Sequence, residues 1–389
     1  MRRIPFNSES GVILPIVIIL MVALTITGIA FLSASVLENQ LVMREVYKNQ
    51  AFYLADAGID HLLVKLKAGE DKPQIPPWTN LGEGDYMVVG SYDATPPYAI
   101  STGRIIKGEQ EILRKIKVVI DKRSIFAYGV FGDEKVLMKG TPEVSSYYYN
   151  DPSWPTDEAQ VGTNSSDPAA IELKGGAFIS GDASSGVGSD PDVAISADPG
   201  AITGDRAALP EHIDLPLVDV PEFSPEMGPL SVTGGAIDDI SADAKYSAVT
   251  IQGELTITSS GDLVFDSLVI EGSGKIIIPG DVSVRIFVIG DPCRLGGNAV
   301  ENMSENPAQF GLYGAGDCTE IDLAGTTDFY GTVYAPGADV KVTGTGDVHG
   351  ALVGKTVELP GTARIYCDAS LADDPGSPQI ISFKQWEEV

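Results

Sequence analysis

Few residues in this chain have the type and spacing that catalysis requires. Its three histidines, His61, His212 and His349, lie in different segments. No HExxH, GxSxG or Cys-His cluster occurs, so zinc-peptidase and serine-hydrolase chemistry have nothing to rest on. The run HGALVGKT, ending at Lys355 and Thr356, is built like a phosphate-binding loop, but that loop needs glycine where His349 stands. Glycan cleavage uses paired carboxylates, and Asp281, Asp291, Asp322, Asp328 and Asp347 are the candidates, although each also suits a turn. Asp190, Asp192 and Asp198 offer carboxylates to calcium without the spacing of an EF-hand. Tyr147, Tyr148, Tyr149 and Trp154 are either a platform for a surface glycan or packing over one end of a domain. Cys293, Cys318 and Cys367 fit no zinc spacing. In an exported protein Cys293 and Cys318 can pair as a disulfide; otherwise all three are buried thiols. No catalytic, cofactor-binding or metal residue is assigned, and the chain is not expected to be an enzyme.

Charge narrows the classes further. Lys+Arg 26 against Asp+Glu 54 gives a net charge of −28 over 389 residues. Nucleic acid needs a basic footprint, so it is excluded as a partner. Gly 43 and Pro 25, with many short Val/Ile-rich runs, imply a β-rich chain with many turns.

The elements that would position such groups begin with an uncharged apolar run over 12–37, longer than the roughly 20 residues that span a bilayer. A short leader, 1–11, precedes it. Its Arg2 and Arg3 place the N-terminus in the cytoplasm and the rest outside. Beyond Glu38 the pattern turns amphipathic: Phe52, Ala55, Ile59, Leu62 and Leu66 share one helical face, and Gly69 and Pro73 end it. One helix over 12–69 would be roughly 85 Å long at about 1.5 Å per residue, half of it projecting from the membrane.

This stretch resembles the N-terminus of type IV pilins, most closely the PilX-type minor pilins. The matching features are Gly11, the span GVILPIVIILMVALTITGIAFLSAS, and a polar segment leading to Ala51, Phe52, Ala55, Asp56 and Ala57. The resemblance covers about the first 65 residues. It implies that a prepilin peptidase cuts after Gly11 and that Val12 becomes the mature N-terminus. Two departures stand out. The residues before Gly11 read NSES, and Ile16 occupies the fifth mature position, where major pilins carry a glutamate. That carboxylate neutralises the N-terminal ammonium of a neighbouring subunit, so a chain without it suits a filament tip or an initiating complex.

Over 80–123 the period changes to that of strands. YAISTGRIIKGEQEILRKIKVVI reads as a hairpin turning at Lys107-Gly108. A small antiparallel sheet is expected to pack Val88, Ile100, Ile105 and Val118 against Phe52, Ile59, Leu62 and Leu66. From 124 to 372 short apolar alternations recur, such as Leu263-Phe265 and Val284-Ile286-Val288. Segments starting at Phe310, Phe329 and Val348 align at offsets of about 17 to 20 residues, with Gly325, Gly344 and Gly361 in equivalent places. That period implies a parallel β-solenoid, the alternative being a β-sandwich in which the glycine spacing is coincidental. The Pro-rich stretch near 205–230 reads as an excursion from it, and 373–389 as a C-terminal tail. The Gly-rich region also resembles uncharacterised surface proteins with pilin-like N-termini.

The expected fold is therefore α+β: a long N-terminal transmembrane helix, a small antiparallel sheet and a large all-β domain. The expected role is that of a minor pilin or pseudopilin-like subunit at a filament tip or in initiation. It would be single-pass in the cytoplasmic membrane and partnered by other pilin-like subunits and the peptidase. The alternative is a membrane-tethered surface solenoid that binds or cleaves polysaccharide.

Overall fold

The computed structural model describes residues 13–68, 70, 72–149, 156–374 and 376–389. Two compact units divide the chain. One runs to Asp121 and takes up Ile381–Val389; the other is Lys122–Ile380.

The first unit is organised by α1, Ile13–Lys67. Its N-terminal half is apolar and exposed, with a mean hydropathy of 2.7 in the most apolar window, long and apolar enough to cross a membrane. The hydroxyls there are satisfied within the helix: Thr25 donates to the Met21 carbonyl (2.7 Å) and Ser33 to that of Ile29 (2.8 Å). Those two hydroxyls therefore need no water. In the C-terminal half Ala51, Leu54, Ala55, Ile59, Leu62 and Leu66 are buried.

They lie on a sequential meander: β1 (Thr79–Leu81), β2 (Gly84–Ser91), β3 (Tyr98–Lys107) and β4 (Gln110–Ser124), then the strand Gln379–Glu388. The ladders from β1 to β4 are antiparallel. The β3–β4 hairpin closes at Lys107↔Gln110, and Gly108 at φ 64 supplies the first central position of the two-residue turn. Val88, Ile105 and Val118 are buried against the helix as expected. Ile100 is not. Alternation along β3 turns Ala99, Ser101, Gly103 and Ile105 inward instead. The reason is clearance: a Cβ on Gly103 would stand 1.9 Å from the Ala51 carbonyl oxygen, and one on Gly58 2.2 Å from the Ser101 hydroxyl. Small residues on both sides bring helix and sheet into close contact, and a row of large aliphatics would hold them apart.

The region read as a C-terminal tail thus contains the fifth strand of this sheet. Trp386 meets Phe52 edge-on (5.4 Å), and Glu388 and Lys384 pair with Arg114 (2.9 Å) and Asp121 (2.7 Å).

The second unit is almost wholly β, and its strand ladders are parallel. The alternations seen in the sequence are buried: Leu263, Phe265, Ile286 and Val288 are each 0% exposed. Phe329 pairs with Val348 and Leu323 with Val342, the register the repeat implies. A simple open stack of coils is not the whole pairing pattern, however. Six strands close a ring: Gly261–Ile270, Val284–Val288, Phe310–Gly314, Phe329–Val342, Glu320–Leu323 and Cys293–Leu295. The ring arises because Gly261–Ile270 and Phe329–Val342 are long. Each pairs with one neighbour at its start and another at its end.

One row of register partners runs through the unit: Arg206, Ala183, Val161, Val130, Leu352, Val333, Leu312, Ile286, Leu263 and Ala244. The strand after the last of these, Leu230–Val232, pairs with Val249 of the Ala244 strand. Chain order along this row is spliced. Residues 130–206 run outward from its middle, and 230–352 run inward from its far end. Segment 209–229 must therefore travel the length of the row, roughly 48 Å for ten strand spacings of about 4.8 Å. Its 21 residues reach about 70 Å when extended, which suffices. Five prolines (Pro210, Pro216, Pro221, Pro225 and Pro229) suit an extended strap that offers few amides.

Candidate functional site

In six consecutive strands of the row, from Val130 to Leu263, the inward aliphatic is followed by an outward apolar residue: Phe131, Val353, Tyr334, Tyr313, Phe287 and Val264 are register partners in turn. Phe287 and Tyr313 stack at 5.0 Å. Leu209, Ile213, Leu215, Val218 and Phe223 of the strap pack on this second apolar row. Polar ties fix it: Tyr334 donates to the Pro216 carbonyl (2.6 Å), and the Asn164 amide exchanges two bonds with the Ile213 backbone (2.8 and 2.9 Å). Burial pushes the Tyr313 phenol up to about 12. The sequence signal for this row was available as two consecutive apolar residues per repeat.

Four of the five carboxylates considered for glycan cleavage are engaged in the turns. Asp291 accepts the Thr319 amide (3.0 Å), and bonds from Thr319 hold its pKa low against burial. Asp322 accepts the Thr343 hydroxyl (2.5 Å), Asp328 the Asp347 amide (3.0 Å) and Asp347 the Arg364 amide (3.3 Å). Asp243 and Asp182 do the same for Asp262 and Asp205. An aspartate at a turn thus captures a backbone amide 17 to 28 residues further on. Asp281 is exposed. Asp190 caps the short turn Pro191–Ala194 by accepting the Asp192 amide (3.1 Å). No group of three or more metal-ligating side chains occurs among the described residues.

The histidines stay apart. His61 bonds Tyr86 (2.8 Å) in the first unit, and His212 lies 3.9 Å from Asp214. His349 is stacked between Tyr330 and Tyr366, and burial lowers its pKa. Tyr147 packs edge-on against His349 (5.7 Å), and Tyr149 donates to the Ser304 carbonyl (2.9 Å), so for these two tyrosines packing, the second of the two readings, is what the structure has. Trp154 lies outside the described residues. Cys293, Cys318 and Cys367 are free and buried. The Cys318 thiol and near-complete burial push Cys293 well up.

The remaining feature is α1. Ile16 is exposed within an apolar surface that continues through Leu41, Met43 and Val46. So large an apolar face does not remain in contact with water. Where it ends, Val36, Leu37, Gln40, Met43, Tyr47 and Gln110 line a groove of about 620 Å³. Gly11 and Val12 lie outside the described residues.

A family described as a domain of unknown function (DUF7305) matches residues 241–374. No curated protein matches the chain. Among solved structures, the chain is similar to the competence-associated pilin ComZ from Thermus thermophilus. Identity is 10%, covering 88% of this chain and 97% of that one, with a TM-score of 0.24, too low to carry a shared fold.

Proposed function

We propose that this chain is a pilin-like structural subunit of a type IV filament or related assembly, acting at the tip or in initiation. The carrying observation is α1 itself: 55 continuous residues, exposed and uncharged as far as Leu37, with one face from Ala51 to Leu66 buried on an antiparallel meander. A membrane tether alone has no use for the second half. In this reading the apolar face docks helix to helix on other pilin-like subunits, and the Gln40–Gln110 groove receives the edge of a neighbour. Ile16 leaves no carboxylate for a subunit stacked on it, which favours an end position. A prepilin peptidase cuts between Gly11 and Val12. The chain is single-pass in the cytoplasmic membrane, with its C-terminal region outside and on the pilus after assembly. The second unit is read as a displayed β-solenoid, supported by parallel partners such as Leu263↔Ile286 and Val333↔Leu352. No catalytic role is proposed: of the candidate aspartates, Asp291, Asp328 and Asp347 bind turn amides and Asp322 a turn hydroxyl.

N-terminal sequencing of the membrane-extracted protein tests this. The expected first residue is Val12, and Gly11→Ala should leave the leader on and abolish filaments. An intact leader on protein recovered from filaments would overturn the reading.

A further inference from the structure

Tyr366, His349 and Tyr330 form a column of flat rings on the second unit. Their centroids are 4.8 and 4.3 Å apart and their planes tilt by 25° and 12°. The three are register partners on adjacent strands, so the strand spacing of about 4.8 Å sets the stacking distance. Tyr330 is the member that reaches an open groove of about 460 Å³. Asn298, Glu301, Met303, Glu305 and Asp328 line the groove around it. Met303 is 61% exposed there. Lys275 also lines the groove, but it is shared between Glu254 (3.5 Å) and Glu301 (2.9 Å), so the local balance stays negative.

An aromatic ring beside several acceptors suits a pyranose. The C–H face of the sugar lies on the ring, and its hydroxyls donate to the carboxylates and the amide. The negative balance selects a sugar that also carries an ammonium and repels uronic acids. We propose that this groove binds an amine-bearing sugar of a surface polysaccharide, stacked on Tyr330 and held by Glu301, Glu305 and Asp328. Binding of this kind does not depend on whether the chain enters a filament.

Full-length protein in detergent micelles, titrated calorimetrically with chitosan tetrasaccharide, tests the proposal. Cellotetraose, tetragalacturonate and pentalysine serve as the neutral, anionic and purely cationic comparisons. The chitosan tetramer should bind at least tenfold more tightly than cellotetraose, and tetragalacturonate should not bind. Tyr330→Ala should weaken chitosan binding tenfold or more, Tyr330→Phe should preserve it, and the pair Glu301→Gln with Glu305→Gln should erase the preference over cellotetraose. Circular dichroism of each variant reports folding; if Tyr330→Ala unfolds, the glutamine pair decides. No binding of the chitosan tetramer, equal binding of pentalysine, or binding indifferent to these substitutions would overturn the proposal.

Discussion

In the helix–sheet unit, α1 supplies one wall of the core, and a seam of Ala51, Ala55 and Gly58 against Ala99, Ser101 and Gly103 sets how closely the other wall approaches. In the parallel unit most strands of the row supply one inward aliphatic, from Ala183 to Leu263, and each touches mainly its two neighbours. The first arrangement concentrates its tolerance in a few atoms. The second distributes it, as repeat architectures do. One substitution at the seam should therefore cost a whole unit, whereas the row yields only at its ties and corners. Corner glycines illustrate the latter: Gly361, Gly140 and Gly175 stack at φ 98, 98 and 80, where a side chain is strained.

The contrast is open to direct attack. Gly103→Val drives a branched side chain into the Ala51 carbonyl and should destabilise the helix–sheet unit by about 3 kcal/mol. Hydrogen exchange should show β3 and the C-terminal half of α1 deprotected while the Leu312–Val333 ladder keeps its protection; loss of both together would mean the units are not independent. Next in size is the cysteine pair. Material exported through an oxidising compartment should carry a Cys293–Cys318 disulfide, worth about 3 kcal/mol for a loop of this length. A non-reducing peptide map checks it, and two free thiols at those positions in exported protein refute it. Asn164→Ala removes both bonds to Ile213 and should cost about 2 kcal/mol, with faster exchange confined to the strap. If 209–229 exchanges no faster, the strap is held by its apolar contacts alone.

The smallest effect concerns pH. Burial lowers the His349 pKa and outweighs the upward pull of Asp328, Asp347 and Glu305. The folded unit therefore binds less proton there than the unfolded chain. Its contribution is complete above the unfolded value near 6.5 and is lost as pH falls through the lower folded value. Melting of the parallel unit at pH 7.5 and 5.5 should differ less in His349→Gln than in the parent, and the helix–sheet transition should not respond to this substitution.

Much of the local structure was legible in the residues. The stripe from Ala55 to Leu66 and the turn at Gly108 follow from spacing and turn chemistry, and the Phe329/Val348 alignment follows from the repeat. Ile100 was misplaced because hydrophobicity ranks it above Ala99 and Ser101, while clearance to the helix favours the small residues. The order of the row was not legible. Val130 and Leu352 carry the same local pattern whichever strand they meet, so nothing nearby encodes that they pair. The destination of the strap follows only once that order is known. The aspartates of the expected glycan site read equally as turn residues, and their amide partners lie 17 to 28 positions away. The tail concealed its strand because Gln379–Glu388 ends in charged, exposed residues that suit an edge.

That last strand has a consequence for synthesis. The helix–sheet unit is interrupted after Asp121 and resumes at Ile381, with Lys122–Ile380 inserted between. Its fifth strand leaves the ribosome only after about 260 further residues, roughly 13 to 50 s at about 5–20 residues per second. During that interval α1 and β1–β4 exist with one sheet edge bare beside β4. The parallel unit, complete by residue 380, is made first. The small unit is thus completed only after the inserted unit, so synthesis of Lys122–Ile380 must precede any step that reads the completed sheet.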